Sequence, residues 1–219
     1  MSSLALMRLL ESAPARYDAG MRVLTLGRVE QIRDALAEAA APSPGARVLE
    51  IGCGTGAVTE KLVTRGASVT AVDQNPEMVE RARARLVHSV PRTVSFIERT
   101  ASEIDAFPPA SFDAVVACLS LSEMSRQERA FVLKWAMHAL RPGGVLAIAD
   151  EVRPRRLINR VLQKLVRGPQ AAFGWIIAGS VSCPISGLAE EATGAGFAIR
   201  SERRWLFETL GVVIAERGR

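Results

Sequence analysis

Between residues 45 and 150, short apolar runs alternate with stretches of helical period, and that alternation constrains the fold more than any other feature. RVLEI (47–51) reads as a strand, followed by a helix from Ala57 to Arg65 that Gly66 stops. SVTAVD (68–73) is a second strand. Asn75 then caps a helix with Pro76 at its first position, running to about His88. VSFIE (94–98) is a third strand. FDAVVAC (112–118) is a continuous apolar run of the kind buried on both faces. Ser125 and Glu128 form a capping box for a helix to Leu140, Arg141-Pro-Gly-Gly144 reads as a turn, and VLAIAD (145–150) is a fifth strand. Strand and helix in alternation over a hundred residues predict a doubly wound, mostly parallel sheet. Near the end, FAIRSERRW and LGVVIAER leave no room for a helix between them, so they should pair antiparallel. The expectation is one α/β domain over 1–219 with seven strands. Its parts are an N-terminal helical lid (1–41), a core (45–150), a helical insertion (153–190) serving as a cap, and a closing strand pair (196–217).

Composition adds limits. The chain has 219 residues, 48% of them hydrophobic, enough to bury a sizeable core. Cys53, Cys118 and Cys183 are odd in number and widely spaced, with no C-x-x-C, which argues against a disulfide framework or a structural zinc site and fits a reducing cytoplasm. Around Leu4–Leu10 the apolar run is broken by Arg8 and Glu11, so it reads as a short amphipathic helix rather than a leader. No stretch reaches the roughly 20 apolar residues that span a bilayer. Of 28 basic residues, six lie in 153–170, where there is no acid, leaving 22 against 23 acids elsewhere. The net charge of +5 therefore belongs to one segment.

The first strand runs directly into Gly52-Cys53-Gly54-Thr55-Gly56. Glycines at the carboxyl end of a first strand sit where open α/β sheets bind ligands, and the helix after them points N–H groups into the site. Asp73 ends the second strand, where a carboxylate can accept both hydroxyls of a ribose. A nicotinamide dinucleotide satisfies this much, because Gly52-x-Gly54-x-x-Ala57 is present. Three features weigh against it. Glu50 would repel a pyrophosphate and welcome a cation. The single tyrosine, Tyr17, has no Y-x-x-x-K partner, and His88 and His138 both fall in helices. The closing antiparallel pair also departs from an all-parallel dinucleotide sheet.

Taken in order, VLEIGCGTG, AVDQNPEM, FDAVVACLSLSEM and LRPGGVLAIAD resemble the successive motifs of class I S-adenosylmethionine-dependent methyltransferases of the small-molecule type, ubiquinone-biosynthesis enzymes included. The resemblance covers Tyr17 to Asp150 and implies a Rossmann-like fold. It implies that Gly52, Cys53, Gly54, Thr55 and Gly56 cradle the methionine end of S-adenosylmethionine, with Glu50 near its amino group. It also implies that Asp73 binds the ribose with Gln74 beside it, that Met78 packs on the adenine and that Thr100 and Ala101 line the adenine edge. Cys118 would contact the methionine part, and Tyr17 would close over the cofactor. A narrower likeness, in LESAPARYDAGMRVLTLGRVE and the segment before Cys183-Pro184, is to the corrinoid-protein-associated subgroup.

The reaction so implied is methyl transfer by in-line displacement to a small or lipid-soluble acceptor, leaving S-adenosylhomocysteine. An activated methyl sulfonium needs alignment and water exclusion more than acid–base help, so no catalytic residue stands out. Ser122 and Glu123, past the fourth strand, are candidates to touch the acceptor. Asp150 and Glu151 read as surface carboxylates, and no metal site is expected. A binding protein without transferase chemistry and a nicotinamide oxidoreductase are the alternatives. Arg156, Arg160, Lys164 and Arg167 recur at helical spacing beside an apolar stripe, which suits capping the site, a peripheral membrane contact or an acidic partner. Nucleic acid is not expected, since aromatics are only 5% and leave few stacking platforms.

Overall fold

A computed structural model describes residues 18–19, 21–22, 25–87, 93–159 and 184–218. Tyr17, His88, Arg160, Lys164, Arg167 and Cys183 lie outside the described residues, so the readings placed on them are neither met nor corrected. The elements are α1 (Arg28–Ala40), β1 (Arg47–Ile51), α2 (Ala57–Thr64), β2 (Ser68–Asp73), α3 (Pro76–Leu86) and β3 (Val94–Glu98). They continue with β4 (Phe112–Cys118), α4 (Arg126–Ala139), β5 (Leu140–Glu151), α5 (Leu188–Gly194), β6 (Phe197–Trp205) and β7 (Leu210–Arg217). One seven-stranded sheet results, in the order β3-β2-β1-β4-β5-β7-β6. Strands β1 to β5 run parallel, whereas β7 is antiparallel to both β5 and β6.

The pleat sorts the core into two layers. Val48, Val69, Ala71, Ala114, Val116 and Ala147 face the α1–α2 side, where Val29, Ile32, Leu36 and Leu62 pack on them. Leu49, Ile51, Val115, Leu146, Ile148 and Val213 face the other side, against Val132, Leu133 and Ala136 of α4 and Leu188 of α5. Both faces of the central strands are thus covered, which explains why FDAVVAC is apolar without alternation. Local signals act as read: Asn75 accepts from the Glu77 N–H at 2.9 Å, and the Ser125–Glu128 capping box is closed.

Two expectations need correction. The predicted turn at Arg141–Gly144 is part of β5, which starts at Leu140 opposite Phe112 and shifts register before Val145 pairs with Ala114. Gly143, at φ 75°, takes up the kink. Asp150 is not a surface carboxylate but fully buried. The end of β5 is flanked by β4 and β7 and roofed by the turn after β4, whose N–H groups it receives.

Candidate functional site

The carboxyl ends of β1, β2 and β4 open onto a cleft of about 300 Å³. Its floor is the glycine loop. Gly52 and Cys53 donate to the Val72 carbonyl at 2.8 and 3.0 Å, pinning the loop to β2. Gly52 has φ 71°, and a Cβ there would collide with the side chain of Ser120. The loops after β1 and β4 therefore touch at a point where only glycine fits. Ser120 Oγ donates to the Ile51 carbonyl at 3.0 Å across the same seam. Leu119, with φ 59°, holds a left-handed conformation rare for a branched side chain, a strain found where a site dictates the backbone.

Asp73 is held by the loop it faces. Oδ2 accepts from the Gly54 N–H at 2.7 Å and Oδ1 from the Asn75 N–H at 2.9 Å. Burial raises its pKa, against the lowering effect of those N–H groups. Glu50 is 1% exposed, and its Oε2 accepts from the Thr59 hydroxyl at 2.6 Å. Burial pushes its carboxyl up to about 8. Arg33 of α1 reaches the same place. Its side chain is 6% exposed, and it donates to Glu30 at 2.9 Å and to Asp18 at 3.1 Å. Arg33, Glu50, Gly52, Cys53, Gly54, Thr55 and Cys118 line a narrow recess beside the cleft. Burial pushes the Cys118 thiol up to about 12 and the Cys53 thiol higher still, so both are neutral.

Most of the anticipated residues converge here. Gly52, Gly54, Asp73, Gln74, Met78, Thr100, Cys118 and Glu123 line the cleft. Glu50, Cys53 and Thr55 face the recess, Gly56 precedes α2 in a left-handed conformation, and Ala101 opens the 3-10 turn Ala101–Ala106. Ser122 is the exception. It is 5% exposed, absent from the cleft lining, and gives both its N–H and its hydroxyl to Asp150, so it braces the turn from behind.

Sequence reasoning missed Arg33, Ser120 and Arg99. A signal for Arg33 existed: it interrupts the apolar stripe of α1 four residues after Val29 and three before Leu36, where a charge needs a buried partner. Ser120 and Arg99 lie just past the ends of β4 and β3, at the open edge of the sheet. Among the described residues, no group of three or more His, Cys, Asp or Glu side chains could hold a metal ion, and no helix is long and apolar enough to cross a membrane.

Residues 48–144, which carry the glycine loop, Asp73 and β4, match a methyltransferase domain family. Over that stretch the chain is similar to methyltransferase domains. Over 108 residues it is 39% identical to a ubiquinone biosynthesis O-methyltransferase of Xanthomonas campestris pv. campestris (strain B100), covering 48% of this chain and 43% of that one. Over 142 residues it is 32% identical to a demethylmenaquinone methyltransferase of Tropheryma whipplei, covering 65% and 57%. The matched stretch thus spans roughly half the length of each relative. A solved structure, the Burkholderia thailandensis 1,6-didemethyltoxoflavin-N1-methyltransferase with bound 1,6-didemethyltoxoflavin and S-adenosylhomocysteine, superposes with a TM-score of 0.69 at 20% identity, covering 100% and 92%. At that identity the likeness carries the fold alone.

Proposed function

We propose that this protein transfers a methyl group from S-adenosylmethionine to a small, lipid-soluble acceptor bearing a hydroxyl, as the name of its ubiquinone biosynthesis O-methyltransferase relative suggests. The observation that carries the reading is the charge pattern around the glycine loop. One buried acid, Glu50, and one buried guanidinium, Arg33, share a recess, while a second carboxylate, Asp73, stands in the cleft next door. An amino-acid zwitterion at one end and a ribose at the other need that arrangement, and a pyrophosphate between two nucleosides does not. When bound, the cofactor supplies a methyl group already activated for displacement.

The chain's own residues then have three tasks. Gly52 and Gly54 bring backbone close to the ligand. Met78, buried at 3%, offers an apolar wall for a flat ring. Cys118, Leu119 and Ser120 form the seam between cofactor and acceptor sides, with neutral or apolar groups that exclude water without competing as nucleophiles. Glu123 and Met124 line the outer part of the cleft and are the residues to test as acceptor contacts. Arg156, exposed and at 3.7 Å from Glu208, opens the basic segment, which we assign a peripheral membrane contact suited to a lipid-soluble acceptor. The reported relatives lend no support to a corrinoid-linked role.

Calorimetric titration with S-adenosylhomocysteine, run beside NAD(H), tests the cofactor half of the reading. Micromolar binding of the homocysteine compound alone supports it. Binding of NAD(H), or of neither to ligand-free folded protein, overturns it. A panel of hydroxylated quinone precursors, assayed with S-adenosylmethionine and with and without anionic vesicles, tests the acceptor half. Turnover confined to soluble charged acceptors would refute it.

A further inference from the structure

We infer that Asp18 is a positioning residue for the cofactor, acting through Thr55 to splint the glycine loop. The inference rests on the cofactor reading above and extends it to a residue that does not line the cleft. Asp18 lies 37 positions before Thr55 and 67 before Arg85 in the chain, yet its carboxylate meets both. The Thr55 hydroxyl stands 3.1 and 3.2 Å from its two oxygens, Arg33 Nη2 donates at 3.1 Å, and Arg85 Nη2 also donates to it.

Arg85 completes the clamp. Its Nε donates to the Thr55 carbonyl at 2.8 Å and its Nη1 to Glu60 at 3.1 Å. Thr55 is thereby held by its side chain from the N-terminal segment and by its carbonyl from α3. It needs to be held. Three of the five residues from Gly52 to Gly56 are glycine, all with positive φ, and glycine surrenders the most conformational freedom on ordering. A loop splinted before the ligand arrives spends less binding energy on ordering. The same carboxylate sets the direction of Arg33, whose guanidinium lines the recess beside Glu50. Asp18 itself lines the charged groove behind the loop, with Arg22, Glu30, Lys61 and Glu60, so its influence on the ligand passes through Thr55 and Arg33.

The test is a double-mutant cycle read by S-adenosylhomocysteine affinity, with thermal melting recorded for each variant. Asp18→Asn keeps the shape and removes the charge, and Thr55→Val removes the hydroxyl from the other side. Each should weaken binding about tenfold, the equivalent of one charge-assisted hydrogen bond. The double variant should bind no worse than the weaker single one, and Thr55→Ser should restore wild-type affinity. Asp18→Asn within twofold of wild type would overturn the inference, as would losses that simply multiply. A wild-type protein that fails to bind the probe defeats the cofactor reading first and this inference with it. Wild-type binding with an indifferent Asp18→Asn defeats this inference alone.

Discussion

The two halves of the cleft are built differently. On the β1–β2–β3 side, Asp73, Glu50 and Arg33 each have a polar partner. Asp73 is bound to the Gly54 and Asn75 N–H groups, Glu50 to Thr59, and Arg33 to Asp18 and Glu30. On the β4–β5–β7 side, the carboxylate that corresponds by position, Asp150, turns away from the cleft. It accepts from the Leu121 and Ser122 N–H groups of the turn at 2.7 and 3.1 Å and from the Glu151 N–H of its own strand at 2.7 Å. What lines the cleft there, Glu123, is exposed. One half buries ionisable groups beside the cleft and its recess. The other buries a carboxylate for its own backbone and lines the cleft with an exposed one. Preorganised charge is costly to bury and is kept where one fixed ligand repays it.

The largest test of this contrast is pH. Burial lifts Glu50 from an ordinary 4.5 to about 8, so across that window the folded chain keeps a proton that the unfolded chain has lost. Unfolding free energy should therefore fall as pH rises from about 5 to 8, by an order of 4 kcal/mol, and flatten above. Asp150, raised from 3.8 to about 6, adds a fall of the same sign at lower pH. Denaturant melts over that range should show the slope above pH 6 vanish in Glu50→Gln. A slope that persists in that variant places the buried proton elsewhere.

Next in size is Arg129→Ala, on the acceptor half. Arg129 donates to both Glu191 oxygens at 2.8 and 2.9 Å and to the Met124 carbonyl at 2.7 Å, with its side chain 9% exposed. Its loss leaves a half-buried carboxylate unpaired and should cost roughly 3 kcal/mol in denaturant melts. Affinity for S-adenosylhomocysteine at a temperature where the variant is folded should stay within about twofold if the halves are independent.

Gly52→Ala aims at the one seam where the halves meet. A positive φ and the collision with Ser120 should cost about 2 kcal/mol, seen in melting, and lower S-adenosylhomocysteine affinity at least tenfold, seen in calorimetry. Glu123→Gln should do least: melting within about 0.5 kcal/mol and unchanged probe affinity, with any effect confined to acceptor turnover.

The same contrast explains what could be read from the sequence. Strands β1 to β4 announce themselves by apolar runs, and the glycine loop by composition, because their burial and turn chemistry are local. The place of Asp73 at the cleft is legible since the carboxyl end of a parallel strand lies at the open edge of the sheet. Asp150 was misread because its partners, Leu121 and Ser122, arrive from another crossover, and nothing near Asp150 in the chain signals the roof above it. Ser122 failed for the matching reason: position past a strand locates the mouth of the sheet but not which side of a short turn faces it. Arg33 was hidden in a helix read only for its apolar stripe, and its role depends on Asp18, fifteen residues back, and on Glu50, seventeen ahead.

Val152, just past β5, and Ile185 form an isolated parallel bridge. The Arg153 N–H meets the Ile185 carbonyl at 3.0 Å, and the Ile185 N–H meets the Glu151 carbonyl at 2.9 Å. A clasp of this kind fixes its two ends to one another independently of the chain between them. Doubling the length of such a bracketed segment costs only about 0.6 kcal/mol in closure entropy. The strands on either side can therefore stay in register whatever length of chain joins the two ends.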